Sequence, residues 1–186
     1  MLMICSHRNS KTISKLQWVS TIPSTRPYVI LNGNPDQDEE SIYNEETHIV
    51  TLKCPDDYAG LPKKIKAGFR FVKERFDPDF VFKIDDDMFV DLDKLFDSLK
   101  TLDCDYAGSI CHLKYRELYA AGPLYYVSRN AIGLLRDMDI HYSSAEDVCV
   151  GNCLKGVIRL SFPLYTDIID EGKTAIAYHD HKRQFL

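Results

Sequence analysis

The sequence has no apolar run long enough to cross a membrane and no excess of basic residues. A transmembrane helix needs about 20 consecutive apolar residues, and the apolar opening segment at 2–5 is too short for the core of a signal peptide. The formal net charge is -5 and the pI is near 5.7, whereas nucleic-acid backbones select clustered lysine and arginine. We therefore expect a soluble chain with no membrane span and no nucleic-acid partner.

The sequence also lacks internal repeats, low-complexity tracts and linkers rich in serine or glycine, which would divide it into domains. A chain of 186 residues can bury one sizeable core without help from disulfides. The six cysteines have no paired metal-binding spacing, and we interpret them as mostly reduced, buried thiols. Residues 1–186 are therefore expected to form a single domain.

Short apolar runs alternate with helical patterns along the chain. The runs that predict buried strands lie at 2–5, 28–31, 48–52 and 80–84. Apolar residues recur at helical spacing over 63–76. Further helices are expected at 11–20, 92–100 and 130–138. This alternation predicts an α/β fold with a mixed, mostly parallel sheet flanked by helices, and functional groups at the carboxyl ends of its strands.

Three consecutive carboxylates, Asp85, Asp86 and Asp87, interrupt an apolar run that extends from Val81 to Val90. Adjacent like charges at a strand end disfavour ionisation unless a cation or hydrogen-bond donors compensate. Mg²⁺ and Mn²⁺ prefer oxygen ligands and often share their coordination with phosphate oxygens. The segment therefore predicts a divalent-cation site suited to a diphosphate, and an acidic surface turn is the structural alternative.

Two other kinds of metal-dependent site also place consecutive or alternating carboxylates in such a segment. An EF-hand loop requires alternating oxygen ligands and a glycine at its sixth position, but Met88, Phe89 and Val90 follow the acidic residues. A magnesium-dependent phosphotransferase with an aspartyl nucleophile would also place a carboxylate at a strand end. The further serine or threonine, lysine and Gly-Asp elements expected for such an enzyme are not evident.

A second acidic pair, Glu146 and Asp147, opens a predicted helix after the polar turn at 141–143. Ser144 is suited to cap this helix, and acidic residues in a first turn are favoured by the helix dipole. In a cleft, one of the two carboxylates can take a proton from an acceptor hydroxyl while the other positions it. The two interpretations are compatible.

Three segments, at 83–90, 119–128 and 146–151, occur in an order that resembles glycosyltransferase family 31. A weaker similarity extends upstream over 8–18 and downstream to a late histidine. The family comprises β-1,3-galactosyltransferases, β-1,3-N-acetylglucosaminyltransferases and fringe-type enzymes. The resemblance implies a Rossmann-like GT-A fold. It also implies an inverting, metal-dependent transfer of a hexose or N-acetylhexosamine from a UDP-sugar to a hydroxyl of a glycan or glycoconjugate, in a β-1,3 linkage.

The resemblance assigns the donor and the metal to particular residues. Asp85, Asp86 and Asp87 match the donor motif. Asp87 is expected to bind Mn²⁺ or Mg²⁺, and Asp85 to lie near the ribose or to join the metal site. Similar enzymes use a histidine near the carboxyl terminus as a further metal ligand, and His179 is favoured over His181 for this position.

The remaining assignments concern the base and the surroundings of the donor. Asp147 matches the catalytic base of the family, and Glu146 and Gly122 are expected to contribute to donor binding. Arg8, at the end of the first strand, is expected to meet the nucleotide diphosphate. The sequence departs from the family where proline and leucine follow Gly122, because many members have glycines there, and this leaves the acceptor open.

The expected partners are a UDP-sugar donor and a glycan or glycoconjugate acceptor. Because the family's membrane anchor and stem have no counterpart here, we expect a cytoplasmic enzyme of microbial or viral origin or, alternatively, an excised catalytic domain of the Golgi lumen. The non-enzymatic alternative is a module that binds a nucleotide sugar or glycan without turnover. Release of nucleoside diphosphate distinguishes the enzyme from the module.

Overall fold

The computed structural model describes residues 1–8, 16–112, 118–143, 145–161, 165–166 and 176–179. Its strands are β1 (Leu2–Cys5), β2 (Tyr28–Gly33), β3 (Ser41–Asn44), β4 (Ile49–Leu52), β5 (Phe80–Asp85), β6 (Met88–Val90), β7 (Tyr106–His112), β8 (Leu118–Ser128), β9 (Arg159–Ser161), β10 (Tyr165–Thr166) and β11 (Ala177–His179). Its helices are a 3₁₀ helix (Leu16–Thr21), α1 (Leu61–Arg75), α2 (Leu92–Ser98), α3 (Arg129–Leu135) and α4 (Glu146–Cys153).

In the described part of the chain, the main sheet has eight strands in the order β3-β4-β2-β1-β5-β8-β7-β9. Neighbours are parallel from β4 through β2 and β1 to β5, and again between β7 and β9. The pairs β3–β4, β5–β8 and β7–β8 are antiparallel. A smaller sheet has the order β10-β11-β6. The predicted α/β fold with a mixed, mostly parallel sheet is confirmed.

The central parallel strands end at one edge of the main sheet. In the register of β1, Cys5 is paired with Leu31 of β2 on one side and with Asp85 of β5 on the other. The residues that follow these strands therefore emerge side by side. This edge receives both the start of the acidic motif and the segment that contains Arg8.

The two faces of the main sheet carry separate apolar cores, because successive strand side chains alternate between faces. Val81 packs in the core covered by α1, α3 and α4. Phe82 and Ile84 pack in the opposite core, which includes Trp18 of the 3₁₀ helix and residues of α2 and β6. Odd-numbered positions of β5 therefore face α1, α3 and α4.

The predicted strands at 2–5, 28–31, 48–52 and 80–84 correspond to β1, β2, β4 and β5 and are confirmed. The helix expected over 63–76 is α1, which buries Ile65, Phe69 and Val72 completely. The helix expected over 11–20 is described only from Leu16, where the chain forms a 3₁₀ helix instead. Among the described residues, no helix combines the length and apolarity that crossing a membrane requires.

Candidate active site

The centre of the site is a buried lysine on β5. Lys83 and Asp85 lie on the same face of the strand, because side chains two residues apart share a face. The Lys83 Nζ donates hydrogen bonds to Asp85 Oδ1 and to the Gly122 carbonyl oxygen of β8, both at 2.6 Å. The Lys83 side chain is 2% exposed and that of Asp85 is 33% exposed. The pair therefore connects the interior to the open edge of the sheet.

Asp86 lies at the same edge but is buried. The Ser6 hydroxyl donates to its Oδ2 at 3.1 Å, and the indole N–H of Trp18 donates to its backbone oxygen at 3.4 Å. Its own backbone N–H donates to the carbonyl of Cys5 at 3.0 Å. These contacts favour a supporting role for Asp86, in which it holds the end of β5 against the segment after β1.

The expected metal ligands lie where β5 gives way to β6. Asp87 is half-buried in the turn between the two strands. In the smaller sheet, His179 is the antiparallel partner of Met88, so its backbone is next to the acidic motif. The side chain of His179 lies outside the described part of the chain, as does all of His181. Among the residues that are described, no group of three His, Cys, Asp or Glu side chains forms a metal-binding cluster.

These positions fit a hard divalent cation through the chemistry of the donor set. Asp85 and Asp87 supply carboxylate oxygens at a strand end, and Mg²⁺ and Mn²⁺ select such ligands. The pairing of β11 with β6 brings a histidine to the same turn. Asp85, Asp87 and His179 therefore stay the predicted metal ligands.

Helix α4 begins at Glu146, as predicted, but its N-cap is Ala145, which makes no side-chain capping bond. The N-cap position is thus one residue later than expected, and Ser144 itself lies outside the described residues. The hydroxyl of Ser143 instead accepts a hydrogen bond from the Ala145 N–H at 3.1 Å. Both acidic residues occupy the first turn of α4.

Glu146 points into the protein. The Tyr125 hydroxyl donates to its Oε1 at 2.6 Å, and its Oε2 is 3.6 Å from the Lys83 Nζ. Burial raises the pKa of Glu146 to about 7, although Lys83 and the Tyr125 hydrogen bond act against this rise. Burial alone would lower the pKa of Lys83, but the carboxylates of Asp85 and Glu146 outweigh it and the net shift is upward.

Asp147 is half-buried and faces β8. The Gly122 N–H donates to its Oδ2 at 3.2 Å, and the Val148 N–H donates to its Oδ1 at 2.9 Å. A Cβ atom on Gly122 would lie 3.4 Å from Glu146 Oε2 and 3.6 Å from Asp147 Oδ2. These are ordinary van der Waals distances, so a side-chain carbon at this position would contact both acidic residues of α4 without a clash.

The next turn of α4 contacts β8 even more closely. A Cβ atom on Gly151 would lie 2.4 Å from Tyr119 Cβ and 2.7 Å from the Leu118 carbonyl oxygen. The Arg159 guanidinium donates to the carbonyls of Gly151 at 2.8 Å and of Leu118 at 3.0 Å. Because Asp147 and Gly151 are four residues apart, they share one face of the helix. The contact at Gly151 therefore sets the position of Asp147.

A second polar cluster supports the segment after β1. Arg8 is exposed, and its backbone N–H donates to Asp56 Oδ2 at 2.7 Å. Asp56 Oδ1 accepts from the Gly33 N–H at 2.8 Å and from the Lys64 Nζ at 2.6 Å. The Lys64 Nζ also donates to the Ser6 carbonyl at 2.8 Å. Burial disfavours the charge of Asp56, but the hydrogen bonds from Lys64 and Arg8 leave its pKa lowered.

Sequence reasoning did not assign roles to Lys83, Tyr125, Asp56 or Lys64. A signal existed for Lys83, because a lysine inside the apolar strand at 80–84 needs buried partners. Tyr125 and its neighbour Tyr126 face opposite sides of β8 and pack in the two different cores. Nothing local in the sequence indicates the partners of Asp56.

The comparisons with known proteins agree with the resemblance inferred from the motifs. The family model described as galactosyltransferase matches residues 28–115. This match contains the acidic motif of β5 and ends before β8 and α4. No curated protein sequence matches the chain. The expected relation to the galactosyltransferases is thereby confirmed over the matched residues.

Several solved glycosyltransferase structures are similar to the chain. A glycosyltransferase involved in glycosylation of the major capsid of PBCV-1 has a TM-score of 0.57 at 14% identity, over 97% of this chain and 92% of that one. The galactosyltransferase LgtC, in complex with donor and acceptor sugar analogs, has a TM-score of 0.55 at 11% identity, over 96% and 86%. GlyE of Streptococcus pneumoniae TIGR4 has a TM-score of 0.53 at 14% identity, over 96% of this chain.

Similarities at such low identity establish the fold alone, which is the GT-A fold expected from the sequence. The chain spans 54% of the length of the GlyE structure.

Proposed function

We infer that the chain is a glycosyltransferase, because residues 28–115 match the galactosyltransferase model and the fold is GT-A. We propose that it transfers a hexose or N-acetylhexosamine from a UDP-sugar to a hydroxyl of a glycan or glycoconjugate. The proposed transfer is metal-dependent, inverts the anomeric configuration and forms a β-1,3 linkage.

One observation carries the proposal: the donor motif and the candidate base are held by the same residue of β8. The Gly122 carbonyl accepts from Lys83, whose Nζ also binds Asp85. The Gly122 N–H donates to Asp147. Two carboxylates from distant parts of the chain therefore lie on either side of one glycine, as a site for both leaving group and acceptor requires.

The donor would lie at the carboxyl edge of the central strands, where open α/β sheets bind their ligands. Asp85, Asp87 and His179 would hold Mn²⁺ or Mg²⁺, and Arg8 lies exposed at the same edge, where it can meet the diphosphate. When bound, the cation neutralises charge on the diphosphate. The buried Asp86, which accepts a hydrogen bond from the Ser6 hydroxyl, would hold the end of β5 in place within this arrangement.

Asp147 would act as the general base. A carboxylate has about four lone-pair sites, so its bonds with Gly122 and Val148 leave capacity to accept an acceptor hydroxyl. As the acceptor oxygen bonds to the anomeric carbon, the bond from that carbon to the diphosphate breaks on the opposite face. The hydroxyl proton moves to Asp147, and the electron pair of the broken bond leaves with UDP.

The test is release of UDP from a panel of UDP-sugars, with and without Mn²⁺ or Mg²⁺, by wild type, Asp87→Ala and Asp147→Asn. Loss of a general base typically costs about 100-fold to 10,000-fold in rate. Asp147→Asn should therefore lose turnover while calorimetry still detects donor binding. In Asp87→Ala, adding Mn²⁺ or Mg²⁺ should no longer increase donor binding or turnover, which should both stay low.

Asp79→Asn is a matched control, because Asp79 precedes the opposite end of β5 and its side chain is 86% exposed. This variant should keep wild-type turnover. Tight donor binding without UDP release from any sugar, in the presence of candidate glycan acceptors, would indicate a binding module. Phosphate release from phosphomonoesters through a covalent aspartyl intermediate would contradict the transferase directly.

A further inference from the structure

We propose that Lys83 is a positioning residue that couples the donor motif to the general base. The inference rests on the proposed function of the same site and adds Lys83 to its residues. Lys83 would keep the donor motif and the general base Asp147 in a fixed position relative to each other.

The geometry begins with three contacts from one ammonium group. The Lys83 Nζ is 2.6 Å from Asp85 Oδ1, 2.6 Å from the Gly122 carbonyl oxygen and 3.6 Å from Glu146 Oε2. The ring of Tyr125 lies beside it, with the centroid at 5.5 Å. An ammonium has three N–H donors. Each carbonyl or carboxylate partner belongs to a different element: β5, β8 and α4.

Each of these contacts leads to a reacting group. Asp85 belongs to the donor motif itself. Gly122 donates its N–H to Asp147, and Glu146 directly precedes Asp147 in the first turn of α4. The Tyr125 hydroxyl fixes the other oxygen of Glu146 at 2.6 Å. Displacing the Lys83 side chain would therefore release the donor carboxylate and the first turn of α4 together.

A requirement for stability does not by itself explain a cation at this position. Buried ion pairs can often be replaced by apolar residues of similar volume without loss of stability, provided that no partner charge is left behind. Val81, which lies on the same face of β5 as Lys83, is apolar and fully buried. If Glu146 were replaced by a neutral glutamine, a methionine in place of Lys83 would fill the same space. It would not orient Asp85 or the Gly122 carbonyl.

The experiment compares Lys83→Met, Glu146→Gln and the double variant Lys83→Met/Glu146→Gln in the full chain. Thermal unfolding, kcat for UDP release and calorimetric affinity for Mn²⁺ with UDP are measured for each. Lys83→Met alone leaves two carboxylates near an apolar group and should lose stability. The double variant removes one of these charges and should recover most of the wild-type Tm.

Activity should not recover with stability. A misplacement near 1 Å can cost about 100-fold in rate, and loss of a group that orients a metal ligand typically costs about 10-fold to 100-fold in metal affinity. We expect both losses in the double variant, with a larger loss of kcat than in Glu146→Gln. A double variant that regains wild-type kcat and Mn²⁺–UDP affinity together with its Tm would overturn the inference.

The outcomes separate this inference from the proposed function. A wild-type chain that releases UDP from no donor contradicts the transferase, whatever the variants do. A wild-type chain that turns over normally, beside a double variant of equal activity, contradicts only the role of Lys83. If Lys83→Met does not fold, the double variant carries the test, since it removes the unpaired Glu146 charge.

Discussion

Lys64 and Lys83, the two buried lysines in the described part of the chain, have nearly the same immediate surroundings. Lys64 on α1 is 0% exposed and Lys83 on β5 is 2% exposed. Each donates one short hydrogen bond to a backbone carbonyl and one to an aspartate oxygen. The Lys64 cluster and the Lys83 cluster differ in the further contacts of the two aspartates, Asp56 and Asp85.

In the Lys64 cluster, the aspartate accepts hydrogen bonds from backbone N–H groups. Asp56 accepts from the N–H groups of Arg8 and Gly33 as well as from Lys64, so it ties two strand ends together. Asp85, the partner of Lys83, is one-third exposed at the open edge, and a second carboxylate, Glu146, stands behind the lysine. The first cluster holds a segment in place, whereas the second holds groups that we propose to react.

The largest expected effect separates these roles. Lys64→Met leaves the half-buried Asp56 carboxylate and the buried Ser6 residue without their cation. Removing one partner of a fully buried pair costs about 3–5 kcal/mol, and the free energy of unfolding, measured by urea denaturation, should fall by up to this amount because Asp56 keeps some contact with water. The kcat of the folded protein should change little, and any change should appear in the KM for the donor, because Asp56 holds the backbone of Arg8.

The control for this prediction is Lys64→Met/Asp56→Asn, which removes both charges and should recover part of the lost stability. The comparison fails if Lys64→Met lowers the kcat of the folded protein as strongly as the Lys83 variants do. In that case both clusters would act on the reaction, and burial depth alone would govern their importance.

A smaller effect is expected from two glycines that lie one turn beyond key residues. Gly68 follows Lys64 on α1, and Gly151 follows Asp147 on α4. A Cβ on Gly68 would meet the end of the flexible Leu31 side chain, whereas a Cβ on Gly151 would meet the β8 backbone. Gly151→Ala should lose about 1–3 kcal/mol by overpacking and should also lose kcat, whereas Gly68→Ala should lose less stability and keep its kcat.

For Gly68→Ala and Gly151→Ala, the free energy of unfolding is measured by urea denaturation and kcat is measured at saturating donor. The reason for the difference is that the Leu31 side chain can rotate away, while the backbone of β8 cannot. The helix must move instead, and Asp147 moves with it. Equal kcat values for Gly68→Ala and Gly151→Ala would argue against a geometric link between α4 packing and the base.

Much of the framework could be predicted from local sequence. The apolar runs predicted β1, β2, β4 and β5, and helical spacing predicted α1, because those patterns are set by which face of an element is buried. The acidic motif was recognisable since its three charges stand inside an apolar run. The position of α4 followed from a polar turn and first-turn acids, although its cap did not.

The contacts that unite the site depend on strand order, which the sequence does not display. β5 lies next to β8 in antiparallel register, and this pairing brings Lys83 to Gly122. The partnership of Glu146 with Tyr125 then depends on how α4 docks on β8. Likewise, only the pairing of β11 with β6 brings the backbone of His179 to the acidic motif.

The two clusters should also respond in opposite directions to pH, with a gradual effect at each pH step. The pKa of Glu146 is raised from its ordinary 4.5 to about 7, so in this interval the folded state binds more protons than the unfolded state. Stability should therefore fall as pH rises from 4.5 to 7, with a slope that one proton limits to about 1.4 kcal/mol per pH unit. Glu146→Gln should remove this slope in urea denaturations made with a chelator present.

Asp56 has the opposite sign, because its pKa is lowered from the ordinary 3.8. Its contribution to stability is present above that value and is lost as pH falls through the lower folded value. Asp56→Asn should therefore be less stable than wild type at neutral pH, and the difference should shrink in acid. If Glu146→Gln keeps the wild-type slope between pH 4.5 and 7, the buried carboxylate is ionised throughout, and Lys83 then neutralises two full charges rather than one.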